Sequence, residues 1–331
     1  MGFIKARGNN FYYEEQGEGP PILLIPASGS TASTWGTLVG DLVGAGRVIA
    51  YDRRGYSRSG GEVVRSAAEH TRDAAAVLDA LEARPAVVVG TSAGATIALD
   101  LAVRRPDLVR AVVVHEAAWR ALRHPDASGL ATLARMQWLA WRGRYDEAAE
   151  TLLRWVYSYR DGGSAWDAFP EAWRQTARGN GRSVVADLKS SMGGYPRGQD
   201  LATITAPVVC TYGSRSRSYM RSLTRSLARA IPTASVREID GTAHAVPSTR
   251  RASSPRSSSK RCAHRGFVRV PSRRRRTGAG PGRLRLLRMR CARDVRARSP
   301  IRSVTARRST ARPYATWRQP WPRTRGSSGC R

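Results

Sequence analysis

The chain has 331 residues and a formal net charge of +31, from 56 Lys plus Arg against 25 Asp plus Glu. That length accommodates one large α/β domain with room for an insertion. No run of 18 apolar residues occurs, so no transmembrane helix is expected, and from the start "MGFIKARGNNFYYEEQGEGP" neither a secretory signal nor, with Ala6 where Ser or Thr is needed, a myristoylation site is expected. The four cysteines, Cys210, Cys262, Cys291 and Cys330, lack metal-ligand spacing, so a reduced, cytoplasmic setting with no cofactor or metal is expected. The charge is concentrated at one end. Residues 251–331 hold 25 basic residues and a single acid, Asp294, and the composition changes sharply near Thr249.

Ahead of that point, short apolar runs alternate with helical patterns, as a parallel sheet requires. In chain order the runs are "PILLIPA" (21–27), "RVIAYD" (47–52), "AVVVG" (86–90), "VRAVVVHEA" (109–117), "APVVCTYG" (206–213) and "SVREID" (235–240). Most are rich in Val and Ile and do not alternate with polar residues, which marks strands buried on both faces. Between them lie helix-length segments such as "AEHTRDAAAVLDALEA" (68–83), with Ala74, Val77, Leu78 and Leu81 on one stripe.

Residues 118–200 break the rhythm. They contain helical patterns without Val/Ile runs and six of the nine tryptophans: Trp119, Trp138, Trp141, Trp155, Trp166 and Trp173. A helical cap is expected here, inserted into a core made of residues 1–117 and 201–249. Its aromatics serve either as the cap's own core or, for Trp119, Trp138 and Trp141, as a substrate-facing lining.

The stretch "VVVGTSAGATIALDLA" (87–102) places Ser92 between the end of a buried strand and the start of a helix. A serine there projects its hydroxyl from the edge of the sheet, and Gly90 and Gly94 avoid Cβ collisions in the tight turn. The helix N-terminus aims backbone N–H groups at developing negative charge. Such a hydroxyl needs a base. His244, in "REIDGTAHAVP", follows the last strand on a loop that sheet order brings over the same edge. His70 sits within a helix, His115 within a strand, His124 in a loop and His264 in the basic segment.

Residues 20–248 resemble the α/β-hydrolase superfamily, in its lidded serine esterase and haloperoxidase-like branch. The resemblance is carried by "PILLIPASGSTASTW", "RVIAYDRRGYSRSGG", "VVVGTSAGATIALDLAVRRPDLVRAVVVHE", "APVVCTYG" and "REIDGTAHAVP". It implies an α/β fold with a mostly parallel sheet, Ser92 as nucleophile, His244 as base, and oxyanion-hole amides at Ser28 and Ala93. The implied activity is that of a cofactor-free hydrolase of a small-molecule ester or related acyl substrate. A serine nucleophile sets the chain apart from relatives that use Asp.

Two departures stand out. The family's His-Gly pair after the first strand is replaced by Pro26-Ala27, a change that leaves backbone donors intact. The family's acid, usually an Asp just after the penultimate strand, is missing from "TYGSRSRSYM", where Ser214 and Ser216 occupy the slots. Some relatives carry the acid one strand earlier, where this chain has Glu116. Glu116 is therefore the expected acid, with Asp200 and Asp240 as alternatives and a structural role for Glu116 also open. Asp52 is expected to tie down its own loop.

The segment from residue 251 onward has no apolar period, and Arg outnumbers Lys 24 to 1 among its basic residues. GC-rich codons read out of frame produce such a composition, and a shifted reading of the Ala252–Cys262 codons can spell an amphipathic helix. Residues 250–331 are accordingly expected to be a disordered, out-of-frame basic tail that meets nucleic acid only non-specifically through phosphates.

Overall fold

A computed structural model describes residues 1–119, 127–191 and 196–245, together with the backbone of a two-residue antiparallel pair, Val268–Arg269 with Leu286–Leu287. Apart from those four residues, the basic segment expected to be a disordered tail lies outside the described residues, as does His124.

Eight strands form one sheet. They are β1 (Gly2–Ala6), β2 (Asn9–Gln16), β3 (Pro21–Ile25), β4 (Arg47–Tyr51), β5 (Ala86–Thr91), β6 (Val109–His115), β7 (Val208–Gly213) and β8 (Ala234–Ile239), in the spatial order β1-β2-β4-β3-β5-β6-β7-β8. From β4 to β8 all neighbours run parallel, while β1–β2 and β2–β4 are antiparallel. The six runs read from the sequence are all strands. The leading hairpin was not foreseen, because "NNFYYEEQ" mixes polar and aromatic residues as a half-covered antiparallel edge strand does.

The apolar runs do not alternate because both faces of the sheet are covered. On one face Leu23, Ile25, Ile49, Tyr51 and Val88 pack against Ala74, Val77 and Leu78 of helix α2 (Ala67–Ala80) and Ile97 and Leu101 of helix α3 (Ala93–Arg104). On the other, Ile22, Leu24, Val48 and Ala50 pack against Trp35, Val39 and Leu42 around helix α1 (Gly36–Leu42). Successive residues of one strand thus serve opposite cores.

Between β6 and β7 the chain departs into helices α4 (Ala127–Trp141), α5 (Tyr145–Val156), α6 (Ala165–Ala168), α7 (Glu171–Gly179) and α8 (Gly181–Ser191), then the short α9 (Gly198–Leu201). In α5, Ala148, Ala149, Leu152 and Leu153 form one buried stripe, with Asp146 and Glu147 in the first turn and Arg154 in the last, as the helix dipole favours. Ala148, Ala149 and Leu152 of that stripe join Met136, Leu139, Val184, Val185 and the core residue Tyr56 in one cluster, while Leu153 packs with Tyr157, Trp166 and Phe169. After β7, helix α10 (Ser218–Arg229) buries Met220, Leu223 and Leu227. No described helix is long and apolar enough to cross a membrane.

Candidate active site

Strands β5 and β6 end in register, with Thr91 beside His115, and His115 lies beside Thr211 of β7, which continues to Gly213. The next residues on the first two strands are Ser92 and Glu116, and both continue the ladder. Ser92 N–H donates to His115 O at 3.0 Å, and Glu116 N–H donates to Thr211 O at 3.0 Å. Both residues then turn into the left-handed region, at φ 52° and 46°. A non-glycine residue is strained there, and two at neighbouring strand ends mark this edge of the sheet as the place where side chains are aimed for a purpose. The turn at Ser92 depends on the flanking glycines. A Cβ on Gly90 would overlap the Gly94 carbonyl, and one on Gly94 would overlap the carbonyl oxygens of Ile25 and Pro26.

Glu116 reaches His244. Nδ1 of the imidazole lies 2.8 Å from Glu116 Oε2. Oε1 of the same carboxylate accepts from Gly213 N–H at 3.0 Å and from the Ser216 hydroxyl. A carboxylate only accepts, so Nδ1 carries the proton and Nε2 is left with the lone pair that a general base needs. Burial alone would raise the Glu116 pKa, but neighbouring His115, the His244 hydrogen bond and the Gly213 amide outweigh it and hold the group at about 2. It is therefore an anion at neutral pH. The two alternative carboxylates do other work: Asp200 caps α9 through Arg197, and Asp240 accepts from Ser214.

His115 has a supporting position that the sequence did not reveal. Its Nε2 donates to Ala243 O at 3.1 Å, pinning the residue before His244, while Nδ1 meets Thr211 Oγ1 at 3.0 Å. Burial pushes its pKa down, against the pull of the neighbouring Glu116 carboxylate. On the other side of His244, the ring of Tyr157 packs at 5.6 Å. Tyr157 belongs to an aromatic group with Trp166, Phe169 and Trp173.

The remaining expected site residues separate into two groups. Ala93 begins α3 and Ser28 follows β3. Among the described residues no acceptor meets either backbone amide. Helices α5, α7 and α8 close over this loop: a Cβ on Gly29 would lie 3.1 Å from Leu153 Cδ1 and 3.6 Å from both Ala177 Cβ and Val184 Cγ2. The three tryptophans expected to line the substrate space differ in their surroundings. Trp119 is 2% exposed, is packed into the sheet core and donates its indole N–H to Pro196 O at 2.7 Å. Trp138 and Trp141 are 50% and 80% exposed, because α4 turns Met136 and Leu139 inward instead. The aromatic side chain beside His244 is Tyr157, which lies in the Trp-rich segment and packs with Trp166, Phe169 and Trp173.

Behind Ser28 lies a buried ion cluster. Arg53 and Asp187 are 1% and 3% exposed, with Nη2 to Oδ2 at 2.6 Å and Nη1 to Oδ1 at 3.2 Å. Asp187 Oδ2 also accepts from the Ser28 hydroxyl at 2.7 Å and the Tyr56 hydroxyl at 2.6 Å. Burial opposes the Asp187 charge, but Arg53 and His70 overcome it and hold the carboxyl well below its ordinary range. The sequence carried one signal for this residue: Asp187 stands on the helical stripe of Val184 and Leu188, where an apolar side chain belongs. Asp52 behaves as expected, accepting from Ala32 N–H at 2.7 Å and from Arg58 Nε at 2.7 Å to hold its own loop.

No hydrogen bond joins Ser92 Oγ to His244; where a serine and a histidine act together, that contact often tightens only when substrate is present. Among the described residues no cluster of three or more His, Cys, Asp or Glu side chains is placed to hold a metal ion. A cleft of about 520 Å³ opens between the loop at Gly55 and the helices of the insertion, lined by Tyr145, Glu147, Asn180 and Arg182, but Ser92, Glu116 and His244 do not border it.

A family model described as the alpha/beta hydrolase family matches residues 22–256. The hydrolase YraK of Bacillus subtilis (strain 168) is 36% identical over 126 residues, which cover 37% of this chain and 46% of YraK. The chain thus spans less than half the length of the curated relatives it first matches. The enol-lactonase from Burkholderia xenovorans LB400 superposes with a TM-score of 0.62 at 19% identity, over 76% of this chain and 95% of that one. A thermophilic esterase from Thermogutta terrifontis gives 0.60 at 20% identity, over 76% and 93%. At these identities the superpositions establish the fold.

Proposed function

The chain belongs to the alpha/beta hydrolase family, and from that membership and the geometry around His244 we propose that it is a serine hydrolase of a small ester or related acyl compound. The observation that supports this best is the buried 2.8 Å bond between His244 Nδ1 and an ionised Glu116, beside a serine in a left-handed turn at a helix N-terminus. A hydroxyl, an imidazole with its Nε2 free and a carboxylate that orients the ring are the parts that acyl transfer needs.

In this mechanism Ser92 Oγ attacks the substrate carbonyl carbon while His244 Nε2 takes its proton. The carbonyl oxygen, now an anion, is held by the Ser28 and Ala93 amides. Collapse of the tetrahedral intermediate expels the alcohol, which leaves with the proton from His244. Water, deprotonated by the same imidazole, then attacks the acyl-enzyme, and the second collapse releases the acid and restores Ser92. The imidazolium formed at each proton transfer is stabilised by the Glu116 anion. A small acyl group is favoured because Leu153, Ala177 and Val184 stand directly over Gly29, so the helical insertion acts as a cap.

A fluorophosphonate probe tests the assignment. The full chain should be labelled at Ser92, and Ser92→Ala should abolish labelling while leaving the fold intact. Equal labelling of the Ala variant overturns the reading.

A further inference from the structure

The peptide group that joins Ala27 to Ser28 has its two ends in different hands. Its N–H is the amide offered to the oxyanion. Its carbonyl oxygen, Ala27 O, accepts from Arg53 Nη2 at 3.3 Å and from Ser30 N–H at 3.2 Å. In a trans peptide the C=O and N–H point in opposite directions, so whatever holds Ala27 O sets the direction of the Ser28 N–H. A charged donor on the carbonyl also polarises the group and makes its N–H a stronger donor in a low-dielectric site.

Arg53 does not hold itself in place. Its guanidinium is fixed on two nitrogens by Asp187, which sits on α8 of the insertion, 134 positions away. It also stacks over the Tyr56 ring at 4.3 Å. The same Asp187 oxygen that takes Arg53 Nη2 takes the hydroxyl of Ser28. Both the peptide before Ser28 and the side chain of Ser28 are therefore anchored to one ion pair, and half of that pair arrives only with the insertion. As a device for stability alone the pair is poor, since two well-packed apolar residues would join α8 to the core as well without the burial of two charges.

We propose that Arg53, held by Asp187, is a positioning residue for the oxyanion hole, so that docking of α8 onto the core orients and polarises the Ala27–Ser28 peptide and completes the site. This rests on the serine-hydrolase reading above. It assigns the insertion a part in the chemistry itself, beyond walling the substrate space.

The test uses the full chain, with 4-nitrophenyl acetate as substrate and a trifluoromethyl ketone as a mimic of the tetrahedral intermediate. The double variant Arg53→Met/Asp187→Leu removes both charges together and should keep a melting temperature close to that of the unmodified protein. Its kcat should fall by about 10- to 100-fold with KM changed less than about twofold. Binding of the ketone should weaken by the same factor as kcat/KM. Arg53→Lys, which keeps the charge but not the two-pronged geometry, should fall in between. A folded double variant with full kcat, or one that loses activity through KM alone, overturns the proposal. A second readout does not depend on turnover: the amide proton of Ser28, observed by NMR with labelled serine, should move upfield in the double variant. If the unmodified protein neither turns over nor is labelled at Ser92, the serine-hydrolase reading fails. The Ser28 resonance then still decides whether Arg53 governs that peptide, and an unmoved resonance overturns the proposal.

Discussion

Ser216 donates its hydroxyl to Oε1 of Glu116, and it does so from the stretch after β7 where relatives of this chain ordinarily carry the triad acid. In the reading proposed above the acid is Glu116, at the end of β6, and the Ser216 hydroxyl supports its carboxylate from the usual place of the acid. Glu116 reaches His244, and Gly213 and Ser216 reach the same carboxylate because β6 and β7 are adjacent. The imidazole needs only an anion at Nδ1.

The first prediction follows from the donors around that carboxylate. Glu116 accepts from His244, Gly213 N–H and Ser216, so all three contacts require an acceptor. Glu116→Gln must turn its NH2 toward one of them. Facing His244, it would force the ring proton onto Nε2 and remove the base. kcat should fall roughly 10³- to 10⁴-fold with little change in KM. Ser216→Ala, which removes one of two donors to Oε1, should lose no more than about tenfold. Steady-state kinetics on both variants check this, and a Glu116→Gln enzyme with near-normal kcat would remove Glu116 from the mechanism.

The second prediction concerns pH. The Glu116 carboxyl has an ordinary value of 4.5 and is held at about 2 in the folded chain. A depressed carboxyl contributes stability that is fully present above the unfolded value and is lost as pH falls through the folded one. The contribution is about 3 kcal/mol above pH 4.5, fading between pH 4.5 and 2. Urea unfolding of the unmodified protein and of Glu116→Gln should therefore differ most at neutral pH and converge toward pH 2. A difference that stays constant over that interval would show that Glu116 is not titrating as its surroundings require.

How far these features could be read from the sequence depends on whether their cause is local. The turn at Ser92 was legible because a buried strand, two glycines and a helix start are neighbours in the chain. Glu116 and His244 were legible because the first directly follows a strand and the second lies on the loop after one, and strand order fixes which edge they share. The leading hairpin was not, since its strands bury only part of one face and carry polar residues. Trp138 and Trp141 were assigned to the substrate space because residue type alone does not say which side of α4 packs. The Arg53–Asp187 pair joins positions 134 apart, and although Asp187 interrupts an apolar stripe, nothing local to either residue names the other as its partner.

The third prediction separates two glycines. A Cβ on Gly94 would overlap the carbonyl oxygens of Ile25 and Pro26, and backbone on both sides prevents an easy adjustment. Gly94→Ala should destabilise the fold by about 1–3 kcal/mol and also lower kcat, because the start of α3 that presents Ala93 N–H must shift. Gly40, exposed within α1, has nothing within 4 Å of its Cβ position. Gly40→Ala should stabilise the fold by about 0.5–1 kcal/mol with unchanged activity. Chemical denaturation and kinetics on the pair measure both effects. The same sign for the two substitutions would contradict the packing at Gly94.

The fourth prediction concerns the energetics of the buried pair. Asp187→Ala leaves Arg53, at 1% exposure, without its counter-charge, and also removes the acceptor for Ser28 and Tyr56. Losing one partner of a buried pair typically destabilises by about 3–5 kcal/mol, a large share of the 5–15 kcal/mol that holds a typical domain together. The damage should concentrate where α8 meets the core. Amide exchange should therefore quicken in the insertion helices and at Ser28–Ser30 before it quickens in β5 and β6. The double substitution Arg53→Met/Asp187→Leu removes the unpaired charge along with its partner, so most of the lost stability should return. If the double variant is instead less stable than Asp187→Ala, the harm lies in lost packing or lost hydroxyl partners, and the uncompensated guanidinium is not its source.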